Sequence, residues 1–202
     1  MFIGYIIFNI VNTVGMVAAS NNLDINSCNN GNDKNCKKTF IFLRETCKNG
    51  GAKACGSIGY IYESGFGVDI DIKKAMFYYQ KACDLKYNLG CVNLGVIYIE
   101  KEKFDEANNL FDIACNNNNA EGCMNLAVSY NYGYGVDSDK NKANRLFKEA
   151  LDLYIKSCNK SNANDCMNVA TMYYGGLGIE INDKEGDKYL QKACNINNSF
   201  CD

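Results

Sequence analysis

Twelve cysteines fall into six close pairs, and five pairs share one spacing, C-x7-C: Cys28/Cys36, Cys47/Cys55, Cys83/Cys91, Cys115/Cys123 and Cys158/Cys166. The sixth pair, Cys194/Cys201, is one residue tighter. From Cys55 onward the text between the pairs also repeats, with units opening at Cys55, Cys91, Cys123 and Cys166. Close cysteine pairs at a fixed spacing in a repeating chain read as a disulfide-stapled repeat array. The rival use of cysteine, metal binding, calls for CxxC-type spacing or histidines, and the chain has neither. The expected pairing is therefore between nearest neighbours: Cys28–Cys36, Cys47–Cys55, Cys83–Cys91, Cys115–Cys123, Cys158–Cys166 and Cys194–Cys201. No metal and no cofactor is expected.

Each unit opens with an apolar stripe at helical spacing. Ile58, Gly59 and Tyr62 recur as Leu94, Gly95 and Tyr98, as Leu126, Ala127 and Tyr130, and as Val169, Ala170 and Tyr173. The small residue in the stripe allows a neighbouring helix to come close. Three units continue with G-x-G and Val or Ile, at Gly65/Gly67/Val68, Gly133/Gly135/Val136 and Gly176/Gly178/Ile179. Glycine in the left-handed region ends a helix and turns the chain. A phosphate cradle is a poor reading of these glycines, because no strand precedes them and no Lys-Ser/Thr follows.

A second helix is expected to start near Asp71 and Asp139 as N-caps. It carries Ala75, Tyr79 and Ala82, then Ala107, Phe111 and Ala114, then Ala143, Phe147 and Ala150. The last unit keeps Leu190 and Ala193 but has Gly186 in place of the first alanine. Each second helix runs to a cysteine whose partner opens the next unit, so each staple clamps a helix–loop–helix corner. The second unit lacks the glycine turn. The third carries seven extra residues, Leu151 to Ser157, which predict a second helix two turns longer. The organisation expected is a signal peptide over 1–20, an N-terminal stapled capping module over 21–54 with one helix between Cys36 and Cys47, and four repeats at 55–90, 91–122, 123–165 and 166–202.

Met1 to Val17 carries no charged side chain, and Ala18-Ala19-Ser20 follows. This reads as a secretory signal cleaved near Ala19 or Ser20. An uncleaved membrane anchor is the alternative, since the apolar run is just long enough to span. Paired cysteines agree with export, to the periplasm or outside the cell, because disulfides persist there. A net charge of −2 and a pI of about 5.3 supply no basic field, so a nucleic-acid partner is not expected. With no histidine, Ser-His-Asp and Cys-His catalysis are excluded.

The pattern Y-x2-G-x-G-V-x2-D-x2-K-A, present as Tyr62 to Ala75 and Tyr130 to Ala143, resembles the Sel-one-like repeat, a relative of the tetratricopeptide repeat. With cysteines eight apart at the helix corners, the chain is similar to the Helicobacter cysteine-rich protein family of secreted bacterial solenoids. The resemblance covers Cys36 to Cys201 and implies an all-α fold: a right-handed α/α superhelical solenoid of helix pairs stapled by C-x7-C disulfides. It also implies two functional readings, since members are described as penicillin-binding proteins with weak β-lactamase activity and as secreted proteins acting on host cells.

The residues give the hydrolase reading little. The S-x-x-K match needed for a serine β-lactamase is Ser157-Cys158-Asn159-Lys160, which straddles a stapled cysteine at a helix end. Ser138-Asp139-Lys140 is a weak echo of S-D-N, and no K-T-G occurs. The acids Asp105/Glu106 and Asp183/Glu185 read as surface acids favoured at helix starts. A binding role is better founded, because stacked helix pairs present a groove lined by first helices. Its expected lining includes Tyr60, Val96, Val128, Tyr132 and Tyr174, together with Val92, Met124 and Met167. Asn93, Asn125 and Asn168 recur two places after the opening cysteine, with Ser57 in the first unit. A side-chain amide can pair with both N–H and C=O, so this ladder is a candidate reader of a peptide main chain; the plainer reading is that the amides tidy the first helical turn. The expected function is a secreted protein that holds a peptide, a protein partner or a cell-wall (peptidoglycan) fragment in this groove, and the alternative is a penicillin-binding β-lactamase acting on a β-lactam ring. The last second helix has no cap after Cys201, so that end is expected either to pair with another molecule, self-association included, or to be the weakest part of the fold.

Overall fold

The computed structural model describes residues 33–200, and all regular structure among them is helical. Residues 1–20, expected to be a signal peptide, and Cys28 and Cys201 lie outside the described residues. So do the expected Cys28–Cys36 and Cys194–Cys201 bridges, although Cys36 and Cys194 are both disulfide-bonded. The helices are α1 (Asp33–Lys48), α2 (Ala52–Ser64), α3 (Ile72–Asp84), α4 (Asn88–Glu100), α5 (Phe104–Asn116), α6 (Ala120–Tyr132), α7 (Lys140–Cys158), α8 (Ala163–Gly175) and α9 (Asp183–Ile196). A short 3₁₀ turn, Asn198–Phe200, follows. None of these helices is long and apolar enough to cross a membrane. The chain forms two compact units, which part between Ile113 and Ala114.

The even-numbered helices are the first members of each pair, and the odd-numbered ones after α1 are the second. In the unit before Ala114, Leu43, Ile58, Ile61 and Ala82 form a buried core, with Phe40 and Tyr62 packed against it. In the other unit, Met124, Ala127, Phe147, Leu151, Tyr154 and Met172 do so. The alanines that recur on the second helices, Ala75, Ala82, Ala107, Ala114, Ala143 and Ala150, are completely buried. Helix α7 has 19 residues where α3 and α5 have 13, as the seven-residue insertion predicts. Its extra turns bury Leu151 and Tyr154. Phe200, in the short turn after α9, packs against a small core of Cys158, Cys166 and Ala193.

The turn inside each pair explains its motif. Gly65, Gly133 and Gly176 end their first helices in the left-handed region, at φ of 75°, 78° and 63°. The carbonyl of the motif tyrosine then accepts from the N–H of the next helix cap: Asp71 to Tyr62 at 2.9 Å, Asp139 to Tyr130 at 2.9 Å and Asn182 to Tyr173 at 3.0 Å. Asp71 and Asp139 accept from the N–H of Lys74 and Lys142 at 3.0 and 2.9 Å, the capping geometry expected of them. The lysine that closes the motif lies over the tyrosine that opens it, 5.1 Å from Lys74 Nζ to the Tyr62 ring and 4.0 Å from Lys142 Nζ to the Tyr130 ring. The second glycine of the motif permits close approach. A Cβ at Gly178 would stand 2.5 Å from Phe147 Cβ on α7.

Four staples are seen whole: Cys47–Cys55, Cys83–Cys91, Cys115–Cys123 and Cys158–Cys166, with Cα–Cα distances of 4.8, 4.7, 4.5 and 4.7 Å. All four corners have one backbone form. The third residue after the leading cysteine is left-handed in each: Gly50, Lys86, Asn118 and Ser161 at φ of 89°, 64°, 58° and 68°. The following N–H reaches back five residues, as in Tyr87 to the Ala82 carbonyl at 2.9 Å and Asn119 to that of Ala114 at 3.0 Å. A tight corner of this kind brings the two cysteines within bridging distance.

Candidate functional site

The second cysteine of each staple is the fourth residue of a first helix, so that helix opens a turn before the cysteine rather than at it. This places a recurrent set of side chains on one face at i, i+4 and i+7: Lys53, Ser57 and Tyr60 on α2; Leu89, Asn93 and Val96 on α4; Glu121, Asn125 and Val128 on α6; Asn164, Asn168 and Thr171 on α8. Of these only Asn125 is buried, at 9% exposure, and the rest are half-buried. Tyr132 extends the stripe on α6 and is 46% exposed. Its ring lies 5.8 Å from that of Tyr134, with Lys140 Nζ 5.5 Å above it. Val92 and Met124, also expected in the lining, are buried in the cores instead, while Met167 is half-buried.

Tyr174 sits off this stripe. It leans on its own pair's second helix, where a Cβ at Gly186 would meet its ring at 2.4 Å, and its hydroxyl donates to Asp187 at 2.8 Å. The ring remains 37% exposed.

The asparagine ladder is partly occupied from within. Asn93 hydrogen-bonds the Tyr79 hydroxyl, which itself donates to Glu63 Oε2 at 2.6 Å. Burial is the main reason the Glu63 carboxyl is held above its ordinary range; the Tyr79 bond works against the rise and Glu100 adds to it. Asn168 hydrogen-bonds the carboxylate of Asp165 one turn earlier. A side-chain amide has capacity beyond one such bond, so neither is saturated.

A second polar cluster was not singled out by the sequence. Glu121, in the first turn of α6, has its Oε2 buried with no hydrogen-bond partner among the described residues. Burial, and then the charge of Asp165, push its carboxyl up to about 7. Asp165 is also raised by burial, against the hydrogen bonds from Ser157 and Asn168. The buried Tyr154 phenol on α7 is raised by burial first and then by these two acids. The only signal in the sequence is that Glu121 falls a turn before Asn125 on the same face.

The hydrolase motif does not assemble around Ser157. Its hydroxyl faces Asp165 and accepts from Asn162 Nδ2 at 3.4 Å, and Lys160 lies beyond the end of α7, exposed. Ser138 donates to the Asn131 carbonyl at 3.4 Å, and Lys140 donates to Asn131 Oδ1 at 3.0 Å. The Glu149 carboxylate comes within 4.8 Å of Cys115 and Cys123, but those sulfurs bond each other and leave no thiolate for a metal. An open cleft of about 680 Å³ lies between Asn144 and Lys148 of α7 and the turn that carries Gly178 and Ile179.

Known proteins share this architecture. The Sel1 repeat pattern matches residues 52–87, 120–155 and 163–198, more than half of the chain. Cytochrome c oxidase assembly factor 7 of Xenopus tropicalis is 30% identical over 120 residues, which are 54% of this chain and 52% of that protein. The chain thus spans about half the length of this curated relative. The crystal structure of a Sel1 repeat protein from Oxalobacter formigenes is similar with a TM-score of 0.61 and 22% identity, over 77% of this chain and 61% of that one. That likeness concerns fold. Cysteine-rich protein B of Helicobacter pylori is 28% identical over 65% of this chain and 93% of that one, with a TM-score of 0.42. The repeat pattern covers more than half of the chain and coincides with the helix pairs, and the chain belongs to the Sel1 repeat family.

Proposed function

We propose that this protein is a disulfide-stapled interaction scaffold in which the first helices of each unit, α2 and α4 in one and α6 and α8 in the other, receive an extended segment of a protein partner. The observation that carries the reading is the recurrent stripe on α2, α4, α6 and α8. At the same positions α2, α4 and α8 keep a polar amide or hydroxyl and then an apolar or Thr side chain half-buried, and α6 keeps Val128 half-buried a turn after the buried Asn125. Surfaces of that kind bury apolar area on binding while the amides satisfy a partner's backbone. Staples at the corners fix the helix ends, so less order has to be imposed when the partner binds. Four disulfides among the described residues point to an oxidising environment, and we place the protein outside the cytosol, as an exported protein.

A peptide array probed with the oxidised full chain tests this. The account expects binding that is lost on changing Asn93, Asn125 and Asn168 to Ala, with helix content by circular dichroism retained. Binding unchanged by those substitutions contradicts it. Saturable covalent labelling by a fluorescent penicillin, abolished by one point mutation, replaces it with the hydrolase reading.

A further inference from the structure

Two acids, Glu121 in the first turn of α6 and Asp165 in the first turn of α8, lie near enough for the charge of Asp165 to act on Glu121. Asp165 is held in place. Its N–H donates to Asn162 Oδ1 at 3.3 Å, its Oδ2 accepts from Asn162 Nδ2 at 2.7 Å, and Ser157 and Asn168 also hydrogen-bond its carboxylate. Glu121 has no such role. Helix α6 is already capped by Asn119, whose Oδ1 accepts from the Gly122 N–H at 2.8 Å. Its buried Oε2 has no hydrogen-bond partner among the described residues. The charge that acts on Glu121 is that of Asp165 on α8, and Glu121 in turn acts on the buried Tyr154 phenol of α7; neither group supplies a positive charge.

A buried carboxylate oxygen with no donor is costly, and a second carboxylate beside it adds to the cost. The arrangement nevertheless stays open to approach, since Glu121, Asp165 and Asn168 are each only half-buried. Asn125 follows Glu121 by one turn on the same face and is nine-tenths buried. Beyond it the stripe continues through Val128 to the exposed Tyr132.

We propose that Glu121, Asp165 and Asn125 form a receptor for a primary ammonium group, the lysine side chain of a protein partner lying along the first helices. This rests on the reading of those helices as the partner-binding face. An ammonium brings one positive charge and three donors, which suits the unengaged Glu121 oxygen, an acid already held in place and a neighbouring amide carbonyl. A calcium ion wants roughly six to eight oxygens, more than this set has free.

The test uses the oxidised full chain, with pentalysine as probe at physiological salt. The titration of the Glu121 carboxyl is followed by carbon-13 NMR, and affinity by calorimetry. Saturating pentalysine is expected to lower the Glu121 midpoint by about one unit or more, and Glu121→Gln to weaken pentalysine binding by about tenfold. The exposed-site variant Asp152→Asn should bind as the wild type does. A midpoint unmoved by pentalysine, a midpoint moved by calcium chloride alone, or wild-type affinity in Glu121→Gln each overturns the proposal. If lysine-free array peptides are lost in the asparagine variants while Glu121→Gln still binds pentalysine fully, the receptor fails and the wider reading stands. If the asparagine variants bind every array peptide normally, the wider reading fails and takes the proposed partner with it.

Discussion

A Cβ built on Gly59 of α2 would stand 2.6 Å from Cδ1 of Tyr79 on α3, so the Tyr79 ring occupies the space a side chain there would need. Gly95 and Phe111 repeat the arrangement at 2.6 Å in the next pair. In the last pair the partners are exchanged: Gly186 lies on the second helix, and the ring of Tyr174 comes from the first. There Leu190 stands in the register that Tyr79 and Phe147 hold in other pairs. The close contact is kept although the sequence positions that make it are swapped.

This contact makes Gly59→Ala destabilising by about 1–3 kcal/mol, because the completely buried Tyr79 ring has nowhere to go. Gly186→Ala should cost less, because the Tyr174 ring is 37% exposed and is free to swing outward. Urea unfolding of the two variants checks the ranking, and equal losses contradict it.

Stability should fall as pH rises from about 4.5 to about 7. Glu121 has an ordinary value of 4.5 and is raised to about 7 in the fold, so the native state holds a proton that the unfolded chain has released. The raised carboxyls of Glu63 and Asp165 act in the same direction. The Glu121 penalty is absent below the unfolded value, grows between the two, and is fully present above pH 7. Glu121→Gln should therefore flatten the pH profile and add about 2 kcal/mol at pH 8, with little change at pH 4. Thermal melts across that range read the difference.

The corners predict gains as well as losses. Ser161 holds φ of 68°, a region that L-residues enter at a cost of about 1 kcal/mol. Ser161→Gly should raise stability by a similar amount, less the added freedom of glycine in the unfolded chain. Gly133→Ala, at φ of 78°, should lower it. Melting temperatures that move in the opposite sense contradict the corner geometry.

Removing one staple isolates its contribution. Closing a ring of this size is worth roughly 2.5 kcal/mol in the chain-entropy account. A double Cys83→Ser, Cys91→Ser variant should lose up to about that much, measured by denaturant midpoint without reductant.

Much of this fold is readable because its determinants are local. Cysteine spacing, G-x-G after an apolar stripe, aspartate at a helix start and a seven-residue insertion each act within a few residues, and α2 to α9 follow from them. The left-handed corner residues Lys86, Asn118 and Ser161 were hidden because none is the glycine that normally marks such a turn. The candidate face was legible only as a register. Periodicity places Asn93 and Asn168 on it, but not the Tyr79 hydroxyl and the Asp165 carboxylate that engage them. Glu121 reads as an ordinary surface acid of a first turn, and only the packing of α8 and α7 around it reveals a buried oxygen. The expected register puts Tyr174 in the lining, whereas the small Gly186 of the opposite helix gives its ring a place to lean.

Peptide mapping of the unreduced protein tests the stapled-corner account most directly. The account predicts fragments that join Cys47 to Cys55, Cys83 to Cys91, Cys115 to Cys123 and Cys158 to Cys166, with no free thiol. Cysteines found free in protein isolated without reductant, or linked to partners in other corners, would contradict it.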